Sequence, residues 1–83
     1  MKYRVYFIET YSECTIKQTD DLAEAAYAYY LALFSGVYPR IAVDGKQLKI
    51  AQAERLCRGI FSEKRMHEIR KNVFKAHGIK GGI

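Results

Sequence analysis

The chain has no tryptophan, a single proline and only two cysteines, and no apolar run is long enough to cross a bilayer. Each shortage removes a class of protein. Cys14 and Cys57 stand far apart with no local pairing pattern, and without an export signal they are expected to meet a reducing cytosol, so two free thiols are expected rather than a structural disulfide. The longest stretch without a charge, residues 25–38, contains Gly36 and is too short for a transmembrane helix. The opening MKYRVYFIE interleaves charged and apolar residues and does not read as a signal peptide. A cytoplasmic protein with no membrane partner is the expectation.

Acidic residues are scarce in one region. Residues 55–83 hold eight Lys/Arg against two Asp/Glu, whereas residues 1–54 hold six against seven. The net charge of +5 is therefore carried by the last third of the chain, and clustered positive charge steers and holds anionic partners.

Chemistry-bearing patterns are missing too. Cys14, Cys57, His67 and His77 are metal-ligating types, but no two stand at the short spacing zinc pairs use, so no metal is expected. Cys14 alternates into an apolar strand with no cationic neighbour, which leaves a Cys–His nucleophile unsupported. The glycines of residues 78–82 precede no helix and make no phosphate loop. The chain reads as non-enzymatic and free of cofactors.

What is present specifies an architecture. An apolar fraction of 49% with seven Tyr and four Phe predicts one ordered domain. Residues 2–9 alternate, with Tyr3, Val5 and Phe7 on one side and Lys2, Arg4, Tyr6 and Ile8 on the other. After a polar break at Ser12 and Glu13, residues 14–18 return as a hairpin partner, with Cys14 and Ile16 facing one way and Thr15 and Lys17 the other. Thr19, Asp20 and Asp21 then cap a helix over residues 22–34, with Asp21 and Glu24 spaced as a capping box and Gly36 as its stop. Its stripe is Leu22, Ala25, Ala26, Tyr29 and Leu33, yet Tyr27, Leu31 and Phe34 lie opposite, so both sides need cover.

Residues 40–50 predict a second hairpin around Asp44-Gly45, in which Ile41, Val43, Leu48 and Ile50 share the core face. A short helix over 51–58 follows, and then a longer one over 63–77. Ser62 caps the long helix, Phe61 and Met66 form a hydrophobic staple, and Gly78 with Ile79 suits a Schellman ending. The fold class is α+β: ββαββ with one helix on an antiparallel sheet (residues 1–50), a helical pair ending in a long basic helix (51–78), and a loose tail (79–83).

Three surfaces compete for function. The first is basic: Arg58, Lys64, Arg65, Arg70, Lys71 and Lys75, of which Lys64, Lys71 and Lys75 share one side of the last helix away from Met66, Ile69 and Val73. It suits an acidic protein or nucleoprotein surface, with direct nucleic-acid contact as the alternative; as a plain solvated face, Glu68 would pair with Lys64 and Lys71. The second is aromatic: Tyr27, Tyr30, Leu31 and Phe34, to be covered by the later helices or by a second copy in a homodimer through the first helix. The third is the outer sheet face, where Lys2, Arg4, Tyr6, Ile8, Thr15, Lys17, Arg40 and Lys49 mix cations with an aromatic as single-strand platforms do. A helix-turn-helix over residues 51–77 fails, because Arg55 takes the place of the required small residue and charges sit at the crossing positions.

The segments T-D-D-L-A-E-A and Y-P-R-I-A-V-D-G, in a strand pair, an Ala-rich helix and a second hairpin over residues 1–50, resemble small phage and mobile-element proteins, some anti-CRISPR proteins among them. The resemblance implies a non-enzymatic inhibitor or accessory factor that occupies a surface on a host nucleoprotein. Unlike the acidic, DNA-mimicking members, this chain is basic.

Overall fold

The computed structural model describes residues 2–76. Along the chain run β1 (Tyr3–Glu9), β2 (Ser12–Thr19), α1 (Leu22–Phe34), β3 (Arg40–Val43), β4 (Lys46–Gln47), α2 (Ile50–Cys57) and α3 (Glu63–Ala76). The α+β class and the ββαββ order with two helices after it are as the patterning predicts. The four strands form one antiparallel sheet in the order β2-β1-β3-β4. The α1 crossover therefore carries the chain from one edge, over β1, to β3.

Local chemistry explains the helix ends. Asp21 Oδ1 accepts the Ala23 N–H at 2.8 Å, a side-chain N-cap. Glu24 does not close the predicted box: it accepts the Thr19 hydroxyl at 2.7 Å, while the Asp21 N–H donates to Thr19 Oγ1. Thr19 is the buried polar residue of the core margin, and these two bonds satisfy it. At the far end Val37 N–H reaches the Ala32 carbonyl at 3.0 Å and Gly36 N–H the Leu33 carbonyl at 3.2 Å, the Schellman pattern, with Gly36 at φ 87°. Ser62 Oγ accepts from Arg65 N–H at 3.2 Å and so caps α3. His77, the Gly78–Ile79 ending and the tail 79–83 lie outside the described residues.

The core forms between α1, α2 and one sheet face. Tyr3, Val5 and Ile41 meet Ala25, Ala26, Ala28 and Tyr29, with Ala53 and Cys57 of α2 closing one side. Alanines at the contact let α1 lie close to the sheet, while Tyr3 and Tyr29 supply bulk. Ile69 and Val73 bury the inner side of α3, which packs on α1. The second side of α1 is thus covered in part by α3, and α2 and α3 each lean on α1 rather than forming a helix-turn-helix unit.

Four local readings are corrected. The first hairpin turns at Thr10 and Tyr11, both left-handed (φ 47° and 69°), rather than at the polar Ser12-Glu13. A register shift between Val5 and Tyr6 leaves Ile16 as an extra residue in β2, opposing Val5 to Lys17 and Tyr6 to Thr15. Lys17 therefore lies on the helix side of the sheet, 3.9 Å from Glu24, and not on the outer face. The second hairpin keeps the predicted register, with Val43 opposite Lys46 and Leu48 N–H bonded to the Ile41 carbonyl at 2.9 Å, but β4 ends at Gln47. Ile50 opens α2 instead of extending the strand, and is 66% exposed. Leu33, read as part of the α1 stripe, is exposed, and Ala28 and Ala32 are buried in its stead.

Candidate functional site

The basic helix divides its cations by environment. Arg58 pairs with Glu54 at 3.2 Å, and Arg65 with Glu68 at 3.3 Å. Arg65 also lies over the Tyr27 ring at 5.8 Å, and Arg70 over Phe74 at 5.4 Å. Arginine planes suit such stacked positions, and these three side chains already have partners within the chain. Lys64, Lys71 and Lys75 are exposed and have no carboxylate within ion-pair distance among the described residues. Glu68, which a plain solvated face would pair with Lys64 and Lys71, takes Arg65 instead.

Helix geometry brings the three lysines together. At 100° per residue they fall within an arc of about 40°, opposite Ile69 and Val73, and span roughly 16 Å of axis. Ile69 is fully buried and Val73 nearly so. The inner anchors thus fix the direction in which the stripe faces. Arg65 and Arg70 project to the flanks, so the structure groups three of the six predicted cations, not all six.

The aromatic surface is half-buried throughout. Tyr30 stacks on Phe34 at 5.9 Å, and Phe61 meets the Tyr27 and Tyr30 rings edge-on at 6.5 and 6.3 Å. Phe61, the staple residue, thereby ties the α3 entry to α1. Tyr27 and Leu31 still border two adjoining grooves between β2 and α1, one reaching Asn72 and Val73 of α3 and the other reaching Phe61, and the two share Ile16 and Ala28 as well. Burial raises the Tyr29 and Tyr30 hydroxyl pKa values.

The outer sheet face is not a stacking platform. Tyr6 has no exposed surface. The Arg4 guanidinium lies 4.6 Å from its ring centroid and is held there by Glu13 at 2.7 Å and Thr15 at 2.9 Å. Gln47 reaches the other Glu13 oxygen from β4 at 3.0 Å. A base could stack on Tyr6 only after displacing this network. The Tyr6 hydroxyl and Arg40 Nε are buried there without a hydrogen-bond partner, and pairing across β1 and β3 sets the two residues side by side.

The two thiols sit in different surroundings. Cys57 is buried, and burial pushes its pKa up to about 11, away from a reactive thiolate. Cys14 is half-buried opposite Phe7. Glu63 and His67 line a shallow hollow with Phe34, Phe61, Met66 and Arg70, and no serine, threonine, cysteine or lysine is among these side chains. No group of three potential metal ligands occurs among the described residues, and no described helix is long and apolar enough to cross a membrane. The chain matches no protein-family model, no curated protein and no solved structure.

Proposed function

We propose that this chain is a small non-enzymatic binding protein that docks on an acidic protein or nucleoprotein surface through the Lys64–Lys71–Lys75 stripe of α3. The observation that carries the reading is the contrast within one helix: arginines engaged by carboxylates or rings, and three lysines left exposed, unpaired and aligned. Unpaired surface cations on a fixed element add long-range attraction and register without costing the fold an internal ion pair. The layout of residues 1–50 favours the role of an inhibitor or accessory factor of the phage or mobile-element kind. The competing reading is direct nucleic-acid binding by the same lysines with Arg58. It is supported by the net charge and weakened by the pairing of Arg58 with Glu54 and the covering of Tyr6.

A salt titration separates the two. Docking on protein predicts no binding to generic DNA or RNA at about 150 mM salt, whereas phosphate binding predicts a steep linear fall of log affinity with log salt. Capture of a partner from host lysate should survive nuclease and be lost on charge reversal (K64E/K71E/K75E). Capture that disappears with nuclease would defeat the docking reading, and capture indifferent to charge reversal would remove α3 from it.

A further inference from the structure

Four of the large apolar side chains left exposed converge on one place. Ile8 (54% exposed), Leu33 (41%), Tyr38 (86%) and Ile50 (66%) rim a pocket of about 220 Å³ where the ends of β1 and α1 meet the start of β3 and of α2. Tyr29 and Pro39 complete its lining together with Arg40, the one charged residue there. A small domain gains stability from every large side chain it covers, so four left open around one concavity mark a contact site.

Arg40 indicates what kind of contact. Its side chain is half-buried and makes no ion pair or hydrogen bond with the described residues, and its Nε is hidden from solvent without an acceptor. Arg4 of β1 and Arg58, Arg65 and Arg70 of the helical pair each have a carboxylate or an aromatic ring, and Arg55 is exposed to water on α2. A partly desolvated guanidinium lacking an acceptor gains a charge-assisted, two-pronged interaction from an incoming carboxylate. The pocket is smaller than the roughly 300–1,000 Å³ of small-molecule sites and suits a single side chain.

We infer that this pocket anchors a partner polypeptide by one bulky apolar side chain, with an adjacent carboxylate paired to Arg40. The site shares no residue with the α3 stripe, so it stands or falls separately from the proposed docking through lysines. Together the two would give a partner two acidic contact points and one apolar anchor, the arrangement of a hot spot within a polar surround.

The test is an NMR titration of the ¹⁵N-labelled full chain with the peptide acetyl-Glu-Phe-Glu-amide, with acetyl-Gln-Phe-Gln-amide and acetyl-Glu-Gly-Glu-amide as controls. The expected result is saturable shifts of the Ile8, Leu33, Arg40 and Ile50 amides with the first peptide alone. Arg40→Met should weaken it by about tenfold or more while Lys64→Gln/Lys71→Gln/Lys75→Gln leaves these shifts in place. Should Arg40→Met fail to fold, Tyr38→Ser on the exposed rim serves instead and should also weaken binding. Shifts centred on α3, equal binding of the Gln peptide, indifference to the Arg40 or Tyr38 substitution, or no saturable shift up to about 10 mM peptide would each overturn the inference.

Discussion

Cys57 shows how one buried group couples the fold to pH. Its thiol sits among Ala53, Tyr29 and Ile41 in the core, where the thiolate would lose its water, so the folded chain holds the proton more tightly than the unfolded chain does. A raised acid pKa gives stability that is complete below the ordinary thiol value of about 9 and is lost as pH rises through about 11. The shift corresponds to about 2 kcal/mol between pH 8 and roughly 10.5. Burial of the Tyr29 and Tyr30 hydroxyls acts in the same alkaline direction. Urea denaturation under reducing conditions at both pH values should show this loss in the native chain and a shallower one in Cys57→Ala. Comparing pH slopes cancels the packing cost of the substitution. Equal slopes would assign the alkaline loss to the tyrosines instead.

At the scale of elements, the two hairpins contrast. Asp44-Gly45 announced its turn, because glycine and aspartate tolerate the left-handed backbone that both central residues adopt (φ 50° and 81°). Thr10-Tyr11 adopts the same left-handed backbone with two residues that disfavour it, so polarity alone points to Ser12-Glu13 instead. The bulge at Ile16 was equally silent, since alternation in a short strand looks regular until its partner fixes the register. The helix ends were legible, Gly36 and Ser62 above all, because caps are written by single residue types. Left-handed backbone costs a non-glycine residue about 1–2 kcal/mol, and Tyr11 is fully exposed, with no packing to lose. Thr10→Asn with Tyr11→Gly should therefore raise stability by about 1–2 kcal/mol in chemical denaturation. A lower denaturation midpoint would mean that the threonine and tyrosine side chains contribute to the turn in a way the backbone angles do not reveal.

For the molecule as a whole, the question is what holds α3 in place and what leaves its lysines free. Periodicity assigned Ile69 and Val73 inward and Lys64, Lys71 and Lys75 outward, and burial agrees with both. It could not show which arginines would find partners, since Arg65 meets Tyr27 of α1 and Arg40 is left without an acceptor only once distant segments come together. The pocket at Ile8, Leu33, Tyr38 and Ile50 was invisible for the same reason: its rim comes from four places in the chain, and Ile50 read as a core strand residue. The structure implies that apolar burial, not charge, docks α3. Ile69→Ala should cost about 2–5 kcal/mol, the range for emptying a filled core position. Replacing all three lysines with glutamine should change stability by less than about 1 kcal/mol, because exposed cations without partners contribute little to folding. Equilibrium denaturation of the two variants decides it. If the glutamine variant loses as much as Ile69→Ala, the lysines support the fold, and a surface that the fold itself requires is not one held ready for a partner.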